Sequence, residues 1–164
     1  MATDVYLQLD GIKGESQDER HVGWIECLTV NWALTQPKSA TASTAGGHTA
    51  ERVELTPITF MKLADLSSPM LLKHCAGGKT IPKAKFEFMR ADGQGAPIKY
   101  YEIELENVLI SHVAPSIGGG SILSEFVSLA FSKVKWIYTQ QRTAGGAAGN
   151  TCAGWDLSSN RYHV

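Results

Sequence analysis

The sequence predicts a mainly β fold with one short α-helix, and three observations carry that prediction. Apolar and polar residues alternate with a period of two along most of the chain. A helix start and a helix stop bracket only one segment. Two long apolar stretches change the face they bury partway along, as the corners of a barrel or a bent sandwich require.

The elements follow in order. Val5, Leu7 and Leu9 alternate with Tyr6, Gln8 and Asp10, a half-buried strand that stops at Gly11. Lys13 to Arg20 is polar and charged and reads as a loop. A strand is expected from Val22 to Gln36, with Trp24, Leu28, Val30, Trp32 and Leu34 on its apolar face. Its other face carries the small or polar Cys27, Thr29, Asn31 and Ala33 and is expected to meet water or a close neighbour. Residues 37–50 hold no large apolar side chain and are expected to form a projecting arm. Val53, Leu55 and Ile58 to Met61 form the next strand, with Pro57 marking a bulge or edge. Ser68 as N-cap, Pro69 in the first turn and Gly77 as a left-handed stop delimit the helix. Met70, Leu71, Leu72 and Cys75 are expected inward, Lys73 and His74 outward. Strands follow at Ala84–Arg90 and Ile98–Ala114, joined through an Asp92-Gly93 turn. The second changes parity near Glu106-Asn107, and the same change recurs near Ser132-Lys133. Residues 144–149 read as a flexible small-residue loop before a last short strand around Gly154–Leu157.

Composition excludes several function classes. A chain of 164 residues suits one domain, here 1–164, that buries roughly 70% of its unfolded surface without metal or disulfide. Fifteen basic and 16 acidic side chains with no basic stripe give no footprint for nucleic acid. No apolar run approaches the roughly 18 residues of a membrane span, so no membrane insertion is expected. The N-terminus lacks the basic and apolar blocks of a signal peptide, so synthesis in the cytoplasm and export without signal cleavage are expected. Cys27, Cys75 and Cys152 are odd in number and far apart, which favours free thiols.

Catalysis finds no candidate residue. Gly77-Gly78-Lys79-Thr80 imitates the end of a phosphate loop, but Lys73 stands where the first glycine belongs and the segment ends a helix. The five histidines show no metal-ligand spacing, so neither metal nor cofactor is expected. Glu102, Glu104 and Glu106 share one strand face and read as a solvated charged face.

Asp10-Gly11-Ile12-Lys13-Gly14-Glu15-Ser16 resembles the opening of the haemolysin-coregulated protein (Hcp) family. The resemblance continues through Trp24–Gln36, Leu66-Ser67-Ser68-Pro69, Ser124–Phe131, Val134–Gln141 and Gly154-Trp155-Asp156, in the family's order and over nearly the whole chain. It implies a compact β-barrel of two sheets with a helix alongside, closing into a homo-hexameric ring. Such rings stack into the tube of the type VI secretion system inside a sheath, meet a spike protein, are expelled, and hold small effector proteins. A ring that lines a channel needs strands with a core side and a wet side, which makes Thr29, Asn31 and Ala33 the lumen candidates. Ser39, Ala40, Thr41, Ala42, Ser43, Thr44, Ala45, Gly46, Gly47 and His48 become candidates for bridging adjacent rings. Two alternatives stand beside this reading. One is a tail tube of the kind found in long-tailed phages. The other is a monomeric ligand-binding β-sandwich using Tyr100, Tyr101, Trp136 and Tyr138.

Overall fold

The computed structural model describes residues 3–37 and 51–163. In chain order its elements are β1 (Thr3–Leu9), β2 (Ile25–Cys27), β3 (Thr29–Asn31), β4 (Leu34–Thr35), β5 (Glu54–Leu55), β6 (Ile58–Leu63), α1 (Ser68–Gly77), β7 (Ile81–Ala91), β8 (Pro97–Ser116), β9 (Ser124–Ala130), β10 (Lys133–Gln141), β11 (Ala147–Asp156) and β12 (Arg161–Tyr162). One sheet, here sheet A, runs β12-β11-β10-β8-β7-β1-β2. The other, sheet B, runs β3-β6-β9-β8, and every pairing is antiparallel. The fold is therefore mainly β, two sheets bent around one core and sharing the long strand β8. Among the described residues the hydrogen-bonded path does not close on itself.

Alternation decides what each sheet buries. Leu7, Phe86, Ile103 and Val134 point inward from sheet A; Ile58, Phe60, Val127 and Leu129 point inward from sheet B. The two layers meet edge to face at Phe60 and Phe86, whose ring centroids lie 5.8 Å apart. Both rings are fully buried, and truncating either to Ala would cost about 3–5 kcal/mol.

Three corners carry the chain between the sheets. At Glu106-Asn107 strand β8 changes parity as expected, with Leu105 inward before it and Val108 and Ile110 inward after it. Asn107 turns the corner with φ 53°, a left-handed conformation that Asn tolerates better than most residues. At Phe131-Ser132 the chain leaves sheet B as β9 and enters sheet A as β10. The two corners are tied together: Asn107 Nδ2 donates to Ser132 Oγ at 3.0 Å, and the Ser132 amide donates to the Glu106 carbonyl at 3.1 Å. The third corner, at Leu28, divides the strand expected over Val22–Gln36 into β2 in sheet A, β3 in sheet B and the small β4–β5 ribbon.

That division corrects the expected faces. Ile25 and Cys27 are buried, so Cys27 belongs to the core, and burial pushes its thiol pKa up. Leu28 and Leu34, expected inward, are exposed, whereas Val30 and Trp32 do pack on the core. The helix begins one residue early, with Ser67 at the N-cap position but its hydroxyl donating to Asp65 rather than capping the helix, and its left-handed stop is Gly78 at φ 62° rather than Gly77. Leu71 and His74 face inward and Leu72 outward, and the buried His74 ring is satisfied through Nδ1, which donates to the Met70 carbonyl one turn back at 2.8 Å. Residues 147–149, expected in a loop, open β11, and the expected short last strand is the end of that ten-residue strand. Glu102 is buried and paired with Lys99, not solvated.

Candidate functional site

Sheet B presents an outer face whose composition sets it apart, and the register defines it residue by residue. Asn31 pairs with Thr59, Thr59 with Ser128, and Ser128 with His112, forming one row across all four strands. A second row runs Thr29, Met61, Phe126, Ala114, and a third joins Leu63, Ser124 and Ser116. The intervening rows point inward: Val30, Phe60, Val127 and Val113 in one, Lys62, Glu125 and Pro115 in another.

This alternation removes charge from the outer face. Strands β3, β6 and β9 contain just two charged residues, Lys62 and Glu125, and both face inward with 0% and 2% exposure. Lys62 Nζ lies 2.6 Å from Glu125 Oε2 and 3.0 Å from Asp65 Oδ1, and it donates to Ser68 Oγ and the Leu63 carbonyl. Ser68 Oγ in turn donates to Glu125 Oε2 at 2.8 Å, so the cluster fastens the start of α1 to sheet B. Buried charge is tolerable only when paired and hydrogen-bonded in this way. What remains outside is Thr, Asn, Ser and Ala with Met61, the exposed Leu63 and Phe126, and one ionisable side chain, His112.

The outer face of sheet A is the opposite. Lys83, Glu106 and Lys133 form one cross-strand row, and Lys85, Glu104 and Lys135 the next. Burial pushes the Glu102 carboxyl up, but hydrogen bonds from Glu104 and Lys99 outweigh it and hold it below the usual range. Glu104, sharing that carboxyl–carboxylate contact, is held above the usual range. At the rim, His21 is buried between Asp18 Oδ1 at 2.6 Å and Glu87 Oε2 at 2.7 Å, and it stacks on Tyr6 with centroids 4.2 Å apart. That clamp holds the loop before β2 onto the sheet. Donation from His21 lowers the Asp18 carboxyl.

Thr29 and Asn31 both lie on the uncharged face, in neighbouring rows. Ala33 lies just past the end of β3, exposed, its amide donating to Thr56 Oγ1 at 3.0 Å. Asn31 and Ala33 share an open depression of about 380 Å³ with Thr56, Thr59 and Ser128. Alternation within one strand suggested the first three residues. Thr59, Met61, Phe126, Ser128 and His112 were missed because only strand pairing places them beside Thr29 and Asn31. The bridging candidates Ser39 to His48 lie outside the described residues. The chain on either side of them is drawn together: Leu34 pairs with Leu55, and Gln36 Nε2 donates to the Glu51 carbonyl at 2.7 Å. Of the aromatic residues of the ligand-binding alternative, Tyr100, Tyr101 and Trp136 pack on the core, and Tyr138 is exposed.

Comparison with known proteins agrees with this architecture. A family profile described as type VI secretion system effector, Hcp, matches residues 6–138. Protein hcp1 of Pseudomonas aeruginosa is 33% identical over 162 residues, covering 98% of each chain. The crystal structure of Hcp1 from Salmonella typhimurium superposes with a TM-score of 0.79 at 32% identity, covering 99% of this chain and all of that one. A structure described as a type six secretion system protein superposes at 0.91 with 26% identity over the same shares. By sequence and by fold alike, the chain belongs to the Hcp family of type VI secretion proteins.

Proposed function

We propose that this chain is the structural subunit of a type VI secretion inner tube, working by self-assembly and carrying no catalytic residue. Six copies close a ring, rings stack within the sheath beneath the spike protein, and the column leaves the cell with small effector proteins in its channel. The observation that carries this reading is sheet B: four strands with an uncharged outer face and unpaired edges at β3 and the second half of β8 among the described residues. An exposed edge is a template for another strand, and joining the β3 edge of one copy to the β8 edge of the next is a heterologous contact that closes by rotation. Six such sheets, at about 4.8 Å per strand, enclose a channel about 37 Å between backbones before strand tilt widens it. Thr29 and Asn31 then face the channel, with Ala33 at its rim, while the Lys–Glu rows of sheet A face outward.

Light scattering during size exclusion tests the reading directly. The expected particle has six times the 17.8 kDa mass of one copy and appears annular in negative stain. A monomer at micromolar concentration overturns it and favours the monomeric binder, for which the open groove lined by Trp136, Trp155 and Tyr162 offers aromatic surface. Bridging by residues 39–48 has its own test. Deleting 39–49 leaves fold and ring intact and weakens stacking and secretion; an unfolded product assigns the segment to the core instead.

A further inference from the structure

The four-stranded part of the fold contains three ionisable side chains: Lys62 on β6, Glu125 on β9, and His112 on the part of β8 that pairs with β9. The first two point inward and neutralise one another. His112 alone points outward. It is exposed, ends the Asn31–Thr59–Ser128 row, and meets Phe126 edge to face at 6.4 Å and 71°. The groups facing it from the neighbouring strands are Ser128 and Phe126 on β9, Thr59 and Met61 on β6, and Thr29 and Asn31 on β3, none of them ionisable. Helix α1, which also packs on β8, turns Leu71 and His74 inward and leaves Lys73 exposed. Neither His74 nor Lys73 belongs to the rows of this face.

Resting on the tube reading, we propose that His112 makes the channel wall a proton-switched surface: uncharged when the imidazole is neutral, and a ring of cations that retains acidic peptide or protein surfaces when it is protonated. Histidine is the side chain that ordinarily changes charge between pH 5 and 8. No other side chain in these rows is charged, so one proton per copy changes the charge they present, with the acidic Glu15 and Glu26 lining the hollow beside Leu63 at their edge. In a channel with low-dielectric walls, repeated like charges focus the field. At neutral pH passengers are held by hydrogen bonds from Asn31 and Thr59 and by apolar contact with Met61 and Phe126, with no ionic preference. In acid the same wall selects by charge.

The test uses the full chain, with ring assembly verified by light scattering. Fluorescence anisotropy follows a rhodamine-labelled oligoglutamate and an oligolysine at about pH 5.5 and about pH 7.5, where glutamate stays largely ionised. Oligoglutamate is expected to bind about tenfold tighter in acid at low salt, losing that gain at about 1 M salt, where the Debye length shrinks to about 3 Å. Oligolysine shows no such gain. His112→Gln abolishes the acid response, and His112→Lys binds oligoglutamate at both pH values. An exposed position tolerates both substitutions, and circular dichroism checks that they fold. Rings whose acid response survives intact in His112→Gln overturn this inference and leave the tube reading standing. A chain that never forms rings overturns the tube reading instead.

Discussion

Replacing Lys62 with Met leaves a carboxylate stranded in the interior, and the structure sets the size of the effect. Lys62 is fully buried and Glu125 is 2% exposed. After the substitution Glu125 Oε2 keeps one donor, Ser68 Oγ, and loses the ammonium 2.6 Å away. Breaking a buried pair by removing one partner costs about 3–5 kcal/mol, against about 5–15 kcal/mol for the whole domain. For a chain of this length each kcal/mol moves Tm by about 2–4 °C, so a fall of about 6–20 °C is expected. The neutral double replacement Lys62→Met/Glu125→Leu removes both charges and is expected to recover most of that loss, because the desolvation cost disappears with the attraction. Urea and thermal unfolding by circular dichroism, at one fixed protein concentration because assembly adds apparent stability, measures both variants. A loss below about 1 kcal/mol for Lys62→Met, or a double variant no better than the single one, refutes the claim that a paired buried charge holds α1 to sheet B.

Asn107→Gly is expected to fold with stability within about 0.5 kcal/mol of the parent, whereas Asn107→Val costs about 1–2 kcal/mol through its left-handed φ, as read by urea unfolding. Gly14→Ala places a Cβ 2.4 Å from the Trp24 carbonyl oxygen, and the backbone shift this forces is expected to cost about 1–3 kcal/mol by thermal melts. The Asp18 carboxyl is depressed in the folded chain, so the clamp it forms with His21 stabilises above the ordinary carboxylate range of about 3.9 and fades as pH falls below it. Amide exchange over 14–24 should rise across that acid window, and Asp18→Asn should remove the dependence. Alkylation followed by mass spectrometry should label the exposed Cys152 first and Cys27 only on unfolding.

Much of the architecture was legible because local rules carry it. Period-two alternation marks the strands, Pro69 marks the start of the helix and a glycine its stop, one residue beyond the expected Gly77, and the parity change at Glu106-Asn107 marks a corner. The errors at Leu28 and Glu102 have separate tertiary causes. Apolar residues on alternate positions predict a single uninterrupted strand, so Leu28 was placed in the core with Trp32. In fact the strand crosses between sheets at Leu28, and Ile25 and Cys27 face the core from one sheet while Val30 and Trp32 face it from the other. Glu102 looked solvated because its strand neighbours are glutamates. Its burial comes from packing across the sheet, and its partner Lys99 sits beyond a bulge.

The sequence by itself determined that this chain is a strand-built member of the Hcp family and that Thr29, Asn31 and Ala33 face away from the core. The first rests on motif blocks that resemble the family's along nearly the whole chain, the second on alternation within one strand, and neither needs knowledge of what lies alongside. Only the tertiary structure decided that those residues share an uncharged face with Thr59, Met61, Phe126, Ser128 and His112, and that Lys62 and Glu125 cancel behind it. Strand order and register are set by burying a common core between segments distant in sequence. Alternation says which side a residue takes, and pairing alone says which residues it stands beside.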